Sequence, residues 1–238
     1  MILEAYTRFH GYSLGNRIAA LFQCMARGIQ PGPIATFPRW IELDRHVKRG
    51  EKALTLCQPV TVKDRDASQD SDAPEAVKTV FVWRPRWFVL AQTDGAEFTA
   101  PIVPAWERDR ALASLEVSIV PFASLDGNIQ GYASRRSFAI NPVAQLPVKT
   151  LFHELAHIVL GHTVAAQTND GANLPQDLRE AEAEGVALLC LESLALPGGD
   201  YCRGYIQTWL GAGRPIPEQS AQRIFKAADA ILRAGTAE

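Results

Sequence analysis

Apolar residues recur at helical spacing through residues 13–28, SLGNRIAALFQCMARG, at Leu14, Ile18, Leu21, Phe22 and Met25. Ser13 stands where a helix is capped and Gly28 where one ends, so the pattern predicts an amphipathic helix. After the turn QPGPI the period is lost. A short turn-like or helical piece around Trp40 leads to a turn at Lys48-Arg49-Gly50-Glu51-Lys52, then to an apolar run from Ala53 to Val62 that reads as a buried strand. Residues 63–76, KDRDASQDSDAPEA, are polar and acidic and predict an exposed, mobile loop. Residues 79–90, TVFVWRPRWFVL, are apolar on both sides of Arg84-Pro85-Arg86, which predicts strand, kink or bulge, strand. The pattern breaks between Pro101 and Asp109, which puts a domain boundary near residue 105. Beyond it, Asp126-Gly127 signals a hairpin and Ser137 to Ile140 a short strand, and then helical periods dominate. They run about Val148–Gly161, Gln176–Leu196, Tyr201–Leu210 and Glu218–Ala234. The predicted class is α+β: a small α/β N-terminal domain, residues 1–105, followed by a mostly helical domain with a short β-sheet, residues 106–238.

Composition narrows the setting. The 238 residues are 47% apolar and 21% charged, as in an ordinary globular chain. The first residues carry no basic region followed by an apolar one, and no segment holds 18 consecutive apolar residues, so the expectation is a cytoplasmic protein without a membrane partner. Cys24, Cys57, Cys190 and Cys202 form no C-x-x-C, which argues for reduced thiols rather than a disulfide framework or a cysteine-bound zinc. The net charge of -2 conceals an asymmetry. Residues 1–65 hold 10 Lys and Arg against 5 Asp and Glu, whereas residues 111–238 hold 9 against 13. A basic front suits an anionic partner but equally a solvated surface.

The back half carries the clearer chemistry. His153, Glu154 and His157 form H-E-x-x-H on a segment whose apolar face is Leu151, Leu155, Ile158 and Val159. Residues i and i+4 share one face of a helix, so both imidazoles reach one tetrahedral ion while Glu154 stands beside its open position as a general base. Zn2+ is the expected ion, with Mn2+ or Co2+ as substitutes. A metzincin would place its third ligand at position 163, which is Thr163 here. The nearby His162 falls where the helix ends and reads as a structural histidine that could still tune the site. No histidine follows it, which turns the search to the acids of LREAEAEGVALLCLESL. Glu180 and Glu184 share a face with Leu188 and Leu191, and acids on an apolar face need a metal or a charge partner. Glu182 points elsewhere, toward solvent. E-x-x-x-E downstream of H-E-x-x-H resembles the gluzincin arrangement, which implies Glu180 as third ligand and Glu184 behind it, orienting a ligand histidine. Two surface acids at a helix start, or the two roles exchanged, are the alternatives. Tyr132 or an arginine of YASRR is a candidate oxyanion donor.

Two stretches together resemble one family. NRIAALFQCMARGIQPGPIATFPRWIELDRHVKRGEKALTLCQPV, with its Asn-led helix, Thr-Phe and Trp pair and a V-x-K-G-E-K stretch that appears here as Val47-Lys48-Arg49-Gly50-Glu51-Lys52, is similar to the N-terminal single-stranded-DNA-binding domain of ArdC-type antirestriction proteins. TLFHELAHIVLGHT with REAEAEGVALL resembles the zincin-like metallopeptidase domain that follows it, and the family's zinc-site residues would fall on His153, Glu154, His157 and Glu180. Asp44-Arg45-His46 stands where the family is expected to carry Gly-Arg before the valine. The resemblance implies a plasmid- or mobile-element-encoded protein, tied to conjugation, that binds single-stranded DNA and shields incoming DNA from host restriction.

The residue types in the front half suit that role. Arg39, Arg45, Lys48, Arg49 and Lys52 can pair with phosphates, and Phe37, Trp40, Trp83, Trp87 and Phe88 offer faces on which bases stack, with Trp40 and Trp87 ahead because arginines flank them. Two other readings stay open. HELAHIVLGH also resembles ImmA-type regulatory zinc metalloproteases, which would make a repressor or restriction-system protein the partner. Alternatively, zinc stabilises a DNA-binding module without catalysis.

Overall fold

The computed structural model describes residues 12–63, 77–98, 105–126, 128–164, 174–211 and 215–237. The molecule is α+β, and its chain divides into two compact units, Ala5–Pro101 and Ile102–Glu238. Of the stretch 63–76 read as a mobile loop, Lys63 is the last residue of a strand and residues 64–76 lie outside the described residues.

In the N-terminal unit, α1 (Leu14–Arg27) starts at Ser13, whose hydroxyl accepts the backbone N–H of Asn16 at 3.4 Å. It ends at Gly28, which takes a left-handed φ of 64° so that the N–H of Ile29 can reach the Cys24 carbonyl at 2.9 Å. The buried stripe is Leu14, Arg17, Ala20, Leu21 and Cys24, whereas Phe22 and Met25, read from the sequence as part of the apolar face, are exposed. The contact stripe is rotated toward the small residues, which let the helix approach its sheet closely.

That sheet has the order β1-β4-β3, antiparallel throughout, from β1 (Ile34–Thr36), β3 (Leu54–Lys63) and β4 (Val77–Val89). Ala20, Leu21 and Cys24 of α1 pack with Ile34, Leu54, Leu56, Trp87 and Val89 to form its core. Only the first part of β3 is buried, which corrects the reading of Ala53–Val62 as a buried strand; at its far end Pro59 and Thr61 face solvent. Arg84-Pro85-Arg86 lies within one continuous strand. Leu54 pairs with Trp87 and Thr55 with Pro85, so Arg86 is the extra residue of a β-bulge. Pro85 sits beyond the reach of β1, where a missing N–H is tolerated. Two carboxamides of α1 lie along the free edge of β3. Asn16 donates to Cys57 O at 2.8 Å and accepts from Cys57 N at 2.9 Å, and Gln23 makes the same pair with Thr55 at 2.8 and 2.9 Å.

The segment around Trp40 is a short helix, α2 (Phe37–Glu42), and β2 (Arg45–Val47) pairs with β5 (Thr93–Gly95). Asp44 between them adopts φ 54°, a left-handed turn conformation that a glycine takes without strain and that aspartate tolerates better than most residues.

The C-terminal unit has a three-stranded sheet of order β6-β8-β7, from β6 (Ser118–Ile119), β7 (Gly131–Ser134) and β8 (Ser137–Ile140). Its hairpin turns at Arg135-Arg136 rather than at the expected Asp126-Gly127, because Arg135 itself supplies the positive φ of 53°. Gly127 lies outside the described residues. The helices are α3 (Arg108–Ser114), α4 (Pro147–Val159), α5 (Gln176–Ser193), α6 (Gly199–Leu210) and α7 (Glu218–Gly235). Among them α5 is the central one, packed against α4, α6 and α7, and it is buried from Ala181 through Ala187. No helix among the described residues is long and apolar enough to cross a membrane.

Candidate metal centre

Pro147 opens α4 at a position where its missing N–H is harmless, and the helix then carries His153 and His157 one turn apart on the face turned to α5. Glu180 comes from the first turns of α5. Its Oε2 lies 3.4 Å from His153 Nε2 and 3.5 Å from His157 Nε2, and the two imidazole nitrogens are 3.1 Å apart. Ligands held at about 2.1 Å around a tetrahedral ion are roughly 3.4 Å from one another. The triangle therefore fits one face of such a site, and its two imidazoles and one carboxylate are donors that suit Zn2+, Mn2+ or Co2+.

The charges around the triangle are arranged for it. Burial opposes a charge on His153, but hydrogen bonds to Glu180 and Glu184 outweigh it and lift its pKa to about 9. Burial lowers the pKa of His157. Burial opposes a charge on Glu180, but the two imidazoles that face it, His153 first, hold it well below the usual carboxylate range. Glu154 is different. Burial, only partly offset by His153, lifts its pKa to about 7. It is 6% exposed, and Gly131 at the start of β7 comes so close that a Cβ there would stand 3.0 Å from its Oε1 and 2.6 Å from the Thr150 methyl. Glycine is what allows the edge strand to approach this carboxylate.

Behind the triangle each acid of α5 has a separate task. Glu184, buried, accepts from Lys149 and lies 3.2 Å from His153 Nδ1, and burial is overcome by these two partners to hold it ionised. Lys149 in turn sits 4.7 Å above the Tyr205 ring. Glu182 overturns its expected solvated position. It is 0% exposed and bound by His162 at 3.1 Å and Arg223 at 3.2 Å, because α5 is covered on the side where periodicity placed water. His162 is likewise buried, and it touches His157 at 3.0 Å. The sequence signals missed here differ in kind. Lys149 stands one turn before His153 on the same helical face and was open to detection; Arg223 lies 41 residues beyond Glu182 and no local pattern links them.

A cleft of about 420 Å³ opens beside the triangle, lined by Gly131, Lys149, His153, Glu154 and the aromatic face Tyr201, Tyr205 and Trp209 of α6. A second of about 320 Å³ is lined by Tyr132, His157 and Arg179. Tyr132 stands on the edge strand, but its hydroxyl is engaged with Ala123 N at 3.2 Å and Pro121 O at 3.4 Å. Arg136 is turned to the carbonyls of Leu115 and Glu116.

The DNA-binding residues read from the N-terminal sequence are divided by the fold. Trp40 is 1% exposed, with its indole N–H on Phe88 O at 2.9 Å and its ring edge-on to Phe98 at 5.6 Å. Trp87 is 7% exposed in the α1–sheet core. Neither offers a face to a base, which corrects the expectation for both: neighbouring residues point to opposite sides of a strand at Trp87 and in different directions around a helix at Trp40, so the flanking arginines say nothing of where the indole lies. Trp83 is 61% exposed instead, with Phe81 and Phe37 exposed too. Arg45 is consumed within the fold, donating to Thr93 Oγ1 at 2.9 Å, to Thr93 O and to Ala96 O. Lys48 bonds Ala91 O at 3.0 Å and Arg39 pairs with Glu42 at 2.8 Å, both at the surface. Arg49 and Lys52 are exposed beside the Gly50 turn.

Residues 2–86 match the family model of the N-terminal domain of anti-restriction factor ArdC. No curated protein matches the chain. Among solved structures, the metal-free crystal structure of the antirestriction ArdC protein from R388 plasmid is similar at a TM-score of 0.57 and 19% identity, covering 98% of this chain and 88% of that one. The Mn(II)-bound structure of the same protein gives 0.56 and 18%, covering 98% and 91%. Residues 2–86 thus match the ArdC N-terminal domain, and the fold of the R388 ArdC protein extends across nearly the whole chain.

Proposed function

We propose that this protein is an antirestriction factor that binds single-stranded DNA with residues 1–105 and holds one divalent cation in a zincin-like metallopeptidase domain, residues 106–238. The observation that carries the second half is the triangle of His153, His157 and Glu180, with edges of 3.1, 3.4 and 3.5 Å and a buried Glu154 beside it. The antirestriction reading is supported by the family match of residues 2–86, and the solved R388 ArdC, which binds Mn(II), supports a divalent ion at this site.

In this reading His153, His157 and Glu180 hold the ion, and Glu184 with Lys149 steadies His153. A cation held there would supply acidification of a water and polarisation of a carbonyl. Glu154, with its pKa raised to about 7, takes the proton of the attacking water near neutral pH and passes it to a leaving amine. The outer edge of β7, which among the described residues pairs with no strand but β8, is brought close by Gly131 and suits an extended peptide laid alongside it. In the N-terminal domain Arg49, Lys52 and Lys48 meet phosphates, and Trp83 and Phe81 replace Trp40 and Trp87 as stacking faces.

Two measurements test this. Wild type should take up one equivalent of Zn2+ or Mn2+; Glu180→Ala should weaken binding on the order of a thousandfold and Glu184→Ala about 10–100-fold. A larger loss in the Glu184 variant would reverse the assigned roles. Anisotropy with the full chain should give single-strand affinity that falls linearly on a log–log salt plot, by roughly 0.7 per phosphate contact, and a salt-independent signal sinks the DNA half.

A further inference from the structure

His157 is steadied from behind by a line of buried polar groups that the ligand triangle does not use. Its Nε2 faces Glu180, which leaves Nδ1 on the far side, 3.0 Å from Nδ1 of His162. The other nitrogen of His162, Nε2, is 3.1 Å from Glu182 Oε2. Arg223 of α7 closes the line, its Nε 3.2 Å from both Glu182 oxygens and its terminal nitrogen donating to Leu160 O at 3.0 Å. Three separate elements thus meet here: the turn that ends α4, the middle of α5 and the first half of α7.

The hydrogen-bond directions in this line are not free. Ionised Glu182, neutralised by Arg223, can only accept, so His162 carries a hydrogen on Nε2. The other nitrogen of a neutral imidazole is then an acceptor, and two facing Nδ1 atoms 3.0 Å apart share one hydrogen. That hydrogen belongs to His157. Its Nε2 is left with a lone pair aimed between His153 and Glu180, the form in which an imidazole can bind a cation.

We propose that His162 is a positioning residue which, anchored by Glu182 and Arg223, selects the Nδ1–H tautomer of His157 and presets its Nε2 for a divalent cation. The inference rests on the reading of His153, His157 and Glu180 as ligands. Unlike a ligand, His162 acts on the ion's place only through His157.

The test uses the full chain with two substitutions. In His162→Gln the amide oxygen can accept from His157 Nδ1–H while its nitrogen donates to Glu182; in His162→Leu both bonds are gone. Imidazole nitrogen NMR on metal-free wild type should report His157 with its hydrogen on Nδ1. Competition titrations should give Zn2+ and Mn2+ binding about 10–100-fold weaker in His162→Leu, with binding by His162→Gln within about threefold of wild type. A packing role alone would not make glutamine rescue affinity while leucine, the apolar residue, loses it. The inference is overturned if metal-free His157 carries its hydrogen on Nε2, or if the leucine variant binds as wild type does. Should that variant not fold, the wild-type tautomer and the glutamine affinity decide by themselves. A wild type with the Nδ1–H tautomer that binds no divalent ion would instead sink the metal reading and leave the tautomer assignment standing.

Discussion

The two units of this chain place their candidate functional side chains in opposite ways. In the N-terminal unit Arg49, Lys52, Arg84 and Arg86 stand in solvent, and Trp83 and Phe81 stand out with them. In the C-terminal unit Glu154, His162, Glu182 and Glu184 are buried, the last three each within reach of a named partner. A buried acid is held in one place by its partners, so the geometry of the candidate site is set by the fold. Exposed charges and rings have no such constraint until something meets them, which fits a surface for a long, flexible polyanion. The contrast is between polar groups fixed in the interior and polar groups left free at the surface.

The strongest attack on that contrast is Glu182→Ala. It leaves Arg223 and His162 facing each other in the interior, and urea unfolding should report a loss of about 3–5 kcal/mol; a loss under about 1 kcal/mol would mean that the buried line is not structural. Next comes a pair of tryptophans. Trp40→Ala removes a fully buried indole and should cost about 3–5 kcal/mol of stability, whereas Trp83→Ala should leave stability within about 0.5 kcal/mol. If Trp83 serves as a stacking face, the same Trp83 variant should lose about 1–3 kcal/mol of single-strand affinity. Equal stability losses from both would erase the distinction between core and surface rings. The smallest effect lies in the thiols. Cys24, Cys190 and Cys202 are buried, and burial lifts the pKa of Cys24 to about 11 and of Cys202 to about 12. A raised thiol pKa means that the reactive thiolate is scarce at pH 8 and grows only as pH climbs toward those values. Native protein at pH 8 should therefore show one fast-reacting thiol, the half-buried Cys57, against four after denaturation.

What could be read in the chain follows the reach of local geometry. His153, Glu154 and His157 lie within one helical turn or so, and a period of 3.6 residues is enough to put the two imidazoles on one face. Glu180 could be paired with them because acids on an apolar face are costly unless matched. The same rule failed at Glu182, since periodicity assumes one wet side and α5 is surrounded by α4, α6 and α7. Trp40 and Trp87 failed for a related reason: a neighbouring arginine marks sequence, while burial is decided by groups distant along the chain, α1 for Trp87 and the Phe88 carbonyl and Phe98 ring for Trp40. The hairpin at Arg135-Arg136 could not be told from the stronger Asp126-Gly127 signal, because a positive φ at arginine is imposed by the strands it joins.

The amide pairs of Asn16 and Gln23 carry a consequence for how copies of this chain behave in a crowd. An uncovered strand margin invites a strand from another molecule, and β3 is the margin of its sheet. By answering the N–H and carbonyl of Thr55 and Cys57 from within, the two side chains act as a selvedge that keeps the fabric from being extended by a stranger's thread.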